Sequence, residues 1–188
     1  MRKHFVRAGA AVLALAFIVA AAFAAVYLAR KSRTAKYADL YSPVIERECE
    51  ANSLDESLLR AVIYCESGYD ASAVSSVGAR GLMQLTEETF DWIAWRLGET
   101  DEYSYDDVFD PELNVRYGAY LLRYLLDLFD GQEQTALAAY HAGVSCVKGW
   151  LSDTAYSADG ITLDRIPYED TASYVSWVTK TKNKYMTN

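Results

Sequence analysis

Leu58-Leu59-Arg60-Ala61-Val62-Ile63-Tyr64-Cys65-Glu66-Ser67-Gly68 is the stretch on which the reading of this chain turns. Leu58, Leu59, Val62 and Ile63 recur at spacings of three and four and form one apolar stripe on a helix expected from about Leu54 to Ser67 and stopped by Gly68. Glu66 follows Val62 by four residues and Ile63 by three, so the same geometry carries it onto the buried face. A carboxyl held against apolar side chains at a helix end loses hydration. Its neutral form is then favoured and its pKa rises, which is what a general acid near neutral pH requires. A second reading stands beside this one, in which the helix end frays and Glu66 points to water or caps amides of the following loop.

Outward from this helix the pattern stays helical. Ser42-Pro43 opens a preceding helix through Ala51. A Gly- and Ser-rich connection from Asp70 to Gly81 leads into Leu82-Met83-Gln84-Leu85, and Thr86 caps a helix that ends near Gly98. Asp110-Pro111 opens the longest helix of this part of the chain, which Asp130-Gly131 ends. Shorter helices are expected over 135–142 and 144–151, a polar excursion over 152–165, and a last helix over 169–185. No strand alternation and no internal repeat interrupts this, so the fold class is predominantly α, in a single domain.

Charge divides the chain in two. Residues 1–36 hold seven basic side chains and no acid, and the other 152 residues hold eleven basic against 26 acidic, a net of −15. Such an acidic domain is no nucleic-acid binder, and 52 % hydrophobic residues with 15 Tyr exclude disorder for the bulk of the chain. Ala8 to Ala29 runs 22 residues without a charge, a helical length of about 33 Å against roughly 30 Å of hydrocarbon. A cleaved signal peptide is the competing reading, but its apolar region is shorter, about 7 to 15 residues. The expectation is therefore an uncleaved transmembrane helix over about 8–29 within an anchor and basic linker, 1–36, ahead of a domain at 37–188. Basic residues flank the run on both sides, so charge alone leaves its orientation open. Cys49, Cys65 and Cys146 show no ligand spacing, so a metal site is not expected; at most one internal disulfide is possible, and buried free thiols are the preferred reading.

Four strings then agree with one another. Glu66-Ser67-Gly68, Ala73-Val74-Ser75 and Gly78-Ala79-Arg80-Gly81-Leu82-Met83-Gln84 resemble the signature of the lytic transglycosylases of the soluble lytic transglycosylase (SLT) type. Asp110-Pro111 with Asn114 and Gly118 is similar to that family's helix start, and Ala139-Tyr140-His141-Ala142-Gly143 to its Ala-Tyr-Asn-Ala-Gly segment. Ile166-Pro167-Tyr168 through Thr171 and Tyr174-Val175 resemble its closing motif. The resemblance covers about Tyr41 to Tyr185 and implies the lysozyme-like fold of goose-type lysozyme and SLT domains.

It also implies a reaction: cleavage of the β-1,4 bond between N-acetylmuramic acid and N-acetylglucosamine in peptidoglycan, with a 1,6-anhydro product. Glu66 would protonate the leaving oxygen and then, ionised, take the proton of the attacking C6 hydroxyl. The substrate's own N-acetyl group would stabilise the cation, an exception to the two-carboxylate rule. By position, Ser75 would hydrogen-bond near the N-acetyl group or orient Glu66, Gln84 would bind the sugar at the cleavage site, Met83 would pack beside it, and Tyr140 would contact substrate. His141 stands where the family has Asn, and Asp170 where the closing motif usually has Glu; both are kept as substrate-binding positions. No cofactor is implied. The implied partners are peptidoglycan glycan strands, and the membrane through the N-terminal helix; the implied location is the cell membrane, with the domain on the extracytoplasmic side. A lysozyme-type hydrolase is the nearest rival and would call on a second carboxylate, with Asp70, Asp106, Asp107 and Asp110 nearest in sequence. A catalytically silent glycan-binding module is the rival of another class.

Overall fold

In the computed structural model of the chain the backbone is described for residues 2–187, and the side chains for residues 17–187 apart from 30 and 33. The chain divides into two compact units, Met1–Asp39 and Leu40–Asn188.

The first unit is contained in one helix, α1 (Arg2–Leu40). Among its described side chains Phe17, Phe23 and Val26 are each more than two thirds exposed. The span expected over 8–29 falls partly outside the described side chains, at residues 8–16. Among the described residues no helix is long and apolar enough to cross a membrane.

The second unit is helical: α2 (Ser42–Asn52), α3 (Glu56–Ser67), α4 (Glu87–Leu97), a 3-10 turn over Tyr105–Phe109, α5 (Pro111–Leu128), α6 (Glu133–Ala142), α7 (Val144–Leu151) and α8 (Glu169–Met186). The only β pairing among the described residues is two isolated antiparallel bridges, Val74 with Arg80 and Arg80 with Leu85.

Local chemistry sets the boundaries. Asp55 caps α3 by accepting from the Ser57 amide at 2.8 Å, and Gly68 ends it in a left-handed conformation, donating to the Tyr64 carbonyl. Asp110 caps α5 by accepting from the amides of Glu112 and Leu113. The expected start at Thr135 moves back to Glu133, because Gln132 follows the left-handed pair Asp130 and Gly131 and the helix begins directly after it.

The apolar stripe of α3 is the core. Leu58, Leu59, Val62 and Ile63 are all at most 2 % exposed, each contributing about 1.5–3 kcal/mol of transfer free energy. α3 packs chiefly on α8, while α5 packs on α2 and α6. A second cluster of Leu85, Phe90, Ile93, Val108, Leu113 and Tyr117 ties the loop before α4 to α5. Cys49 and Cys65 are buried free thiols and Cys146 is a partly exposed one. Burial pushes Cys49 up to about 12 and Cys65 up to about 11.

Candidate active site

Glu66 sits in the last turn of α3, where the chain leaves the helix through Gly68 and Tyr69, two successive residues with positive φ. Tyr69 is wholly buried and meets Tyr185 hydroxyl to hydroxyl at 3.2 Å, so the sharp exit is held by packing. Glu66 itself stays partly exposed. The Tyr174 hydroxyl of α8 donates to Glu66 Oε1 at 2.6 Å. Burial raises the Glu66 carboxyl from an ordinary 4.5 to about 7, against the pull of the Tyr174 hydrogen bond, which favours the charged form. Burial and the nearby Glu66 charge likewise push the phenols of Tyr174 and Tyr140 well above their ordinary value, so both are neutral donors.

The loop from Ala73 to Leu85 is clamped beside this carboxyl by four elements. Ser67 donates from Oγ to the Leu82 carbonyl at 2.8 Å, linking the loop to the end of α3. Asn114 of α5 is fully buried; its Oδ1 accepts from the Met83 amide at 2.7 Å, and its Nδ2 donates to the carbonyls of Arg80 and Val108. Tyr140 of α6 donates to the Met83 carbonyl at 2.7 Å. Tyr105 donates to the carbonyls of Gly78 and Leu85. Two glycines make the close approach feasible. A Cβ on Gly81, whose φ is +78°, would overlap the Asn114 amide and the Val108 carbonyl, and one on Gly118 would overlap the Met83 side chain.

The expected site residues therefore take distinct places. Met83 is wholly buried against Gly118 and works through its backbone. Ser75 accepts from the Ala79 amide at 3.0 Å and makes no hydrogen bond to Glu66, the orienting contact being made instead by Tyr174. Gln84 has a left-handed backbone, φ 49°, and donates through Nε2 to the carbonyls of Ala73 and Gly81, leaving Oε1 without a partner among the described residues. Strain of this kind in a non-glycine residue persists only where surrounding contacts enforce it. His141 is exposed, stacks on the Tyr174 ring with centroids 4.7 Å apart, and meets Thr171 Oγ1 through Nδ1 at 3.1 Å. Asp170, exposed in the first turn of α8, accepts from the Thr171 amide and lines an open groove with Pro167, Tyr168, Glu169 and Ser173.

Tyr174 as the partner of Glu66 is the residue that sequence reasoning missed. The available signal was a single tyrosine among Thr171, Val175, Val178 and Thr181 on the buried face of α8, where its hydroxyl must find an acceptor. The carboxylates that a second catalytic acid could come from are engaged elsewhere. Asp70 accepts from Ser72, Asp106 pairs with Arg80 at 2.8 Å, Asp107 closes a capping box with Ser104, and Asp110 caps α5.

A family model described as "Transglycosylase SLT domain" matches residues 43–161. The chain is 29% identical over 136 residues to the soluble lytic murein transglycosylase of Salmonella typhimurium, covering 72% of this chain and 21% of that protein. It is 36% identical over 114 residues to the membrane-bound lytic murein transglycosylase F of Desulfosudis oleivorans, covering 57% of this chain and 23% of that one. Among solved structures, an inactive mutant of lytic transglycosylase Slt from Pseudomonas aeruginosa superposes with a TM-score of 0.66 at 30% identity, over 76% of this chain and 23% of that one. The chain thus spans about a fifth of the length of these two curated relatives.

Proposed function

We propose a reaction for a chain that belongs to the transglycosylase SLT domain family: Glu66 cleaves the β-1,4 bond between N-acetylmuramic acid and N-acetylglucosamine and leaves a 1,6-anhydro end. The observation that carries this reading is a lone carboxyl. Glu66 is raised to about 7 by burial, and the hydrogen-bond donor it meets among the described residues is a neutral phenol. Near neutral pH its protonated form can give a proton to the leaving glycosidic oxygen, and the ionised form that results can take the proton of the C6 hydroxyl. No second carboxylate is needed if the substrate's N-acetyl group stabilises the developing cation. The engagement of Asp70, Asp106, Asp107 and Asp110 in turns, caps and an ion pair favours this over a two-carboxylate hydrolase. The relatives this chain resembles, named as lytic murein transglycosylases, agree with it.

In this reading Gln84 Oε1 and the exposed groups of His141 and Asp170 contact the glycan, Tyr140 and Met83 shape the wall behind it, and Ser75 holds the loop. Residues 1–36 act as anchor and linker for the domain at 37–188 and keep it at the cell-wall face of the membrane. The 22-residue uncharged run and the exposed Phe17, Phe23 and Val26 of α1 support that placement. Digestion of purified peptidoglycan with the full chain, followed by mass spectrometry, tests the reaction: anhydro ends support it, and reducing ends assign the site to a hydrolase.

A further inference from the structure

The rings of His141 on α6 and Tyr174 on α8 lie against each other in a tilted pair, their planes inclined by 31° at a centroid separation of 4.7 Å. The imidazole is exposed, yet it is fastened on one side: its Nδ1 lies 3.1 Å from Oγ1 of Thr171, a residue only 1 % exposed. Thr171 and Tyr174 are three residues apart on α8, so the imidazole spans two neighbouring positions on one helix face. The far end of Tyr174 carries the hydroxyl that donates to Glu66. Tyr174 itself is buried, only 8 % exposed.

We infer that His141 is a positioning residue, whose ring, anchored on Thr171, is the wall against which Tyr174 stacks and so fixes the phenol hydroxyl on Glu66. An aromatic pair of this kind biases a rotamer population by a factor of roughly two to ten. The inference rests on the reading of Glu66 as the acid, but its content is the geometry of the His141, Tyr174 and Glu66 chain. An Asn at position 141, as the family resemblance would place there, could keep a hydrogen bond to Thr171 but offers no comparable ring face.

The consequence is chemical. The Tyr174 hydrogen bond favours the ionised carboxyl and opposes burial, so loosening Tyr174 moves Glu66 further up. The titratable groups that act on Tyr174 besides Glu66 are Tyr140 on α6 and Cys65 on α3, and Glu169 and Asp170 flank Thr171 in the first turn of α8.

The test is a titration of the Glu66 carboxyl by carbon NMR in the full chain, which reads the geometry without needing turnover. Tyr174→Phe should move the midpoint up from about 7. His141→Ala should move it the same way by about half a unit, and His141→Phe, which keeps a flat ring, should leave it within about 0.2 units of the wild type. His141→Ala combined with Tyr174→Phe should titrate with Tyr174→Phe alone, because the effect of His141 passes through Tyr174. If His141→Ala melts below the titration temperature, His141→Leu, which fills space without a flat face, carries the same expectation. A midpoint unmoved in His141→Ala or His141→Leu, or a shift that persists undiminished in the Tyr174→Phe background, overturns the inference. These shifts in a chain that leaves peptidoglycan uncut would keep the positioning and remove the proposed reaction; turnover without the shifts would do the reverse.

Discussion

The Tyr174 hydroxyl lies 2.6 Å from Glu66 Oε1, across the contact between α8 and α3 and 108 residues away in sequence. Two opposed influences meet at this oxygen. Burial penalises the carboxylate, and the phenol stabilises it without carrying a charge of its own. The outcome, about 7, leaves both protonation states within reach at neutral pH, as a group that acts first as acid and then as base requires.

Activity should accordingly fall on the alkaline side. The free enzyme must carry a proton on Glu66 to begin, so kcat/KM should decline about tenfold per pH unit above about 7–8. Initial rates on insoluble peptidoglycan from pH 5 to pH 9 measure this. A rate that keeps rising through pH 9 would remove Glu66 from the role of acid.

Stability should show the same group with the sign of a raised acid. The folded value, about 7, exceeds the ordinary 4.5 expected of the unfolded chain, so the protein is more stable where Glu66 is protonated in both states and loses stability as pH rises from about 4.5 to about 7. Glu66→Gln escapes this loss. Its advantage over the wild type should be absent near pH 4 and reach roughly 3 kcal/mol above pH 8. Thermal melts across that range would show a gap that opens with pH; a constant gap contradicts the burial argument.

Asn114→Ala should damage the site from behind. It removes two donor–carbonyl bonds and the acceptor for the Met83 amide in a fully buried place; the Arg80 carbonyl still accepts from the Leu85 amide, so the Met83 amide and the Val108 carbonyl are left unsatisfied, at a cost of about 2–6 kcal/mol at 1–3 kcal/mol each. With the loop from Ala73 to Leu85 loosened, kcat should fall even at temperatures where circular dichroism reports a folded domain. Retention of both melting temperature and kcat would show that Tyr140, Ser67 and Tyr105 hold the loop without it.

The helices were legible because their signals are local. The stripe from Leu58 to Ile63, the Asp110-Pro111 start and the Gly68 stop each depend on residues within a few positions, and all appear where expected. Helical spacing puts Glu66 beside the stripe, but a frayed helix end that turns it to water stands beside that reading, and the resemblance of the string from Glu66 to Gln84 decides between them. What joins it was not legible. Tyr174 and Thr171 reach the site through the packing of α8 on α3 and α6, a long-range event that leaves no spacing in the chain. Asn114 stood in a quoted string, yet only the fold shows it bonded to Met83, Arg80 and Val108 at once. The short 3-10 turn over Tyr105–Phe109 went unread because its five residues are too few to carry a period.

The central claim, that one carboxyl cleaves the glycan by intramolecular displacement, is tested most directly by the mass of the products. Peptidoglycan digested with the full chain should release muropeptides one water lighter than their hydrolysed counterparts, and the same digest with Glu66→Gln should release none. Products ending in reducing N-acetylmuramic acid, or unchanged release by Glu66→Gln, would contradict the account.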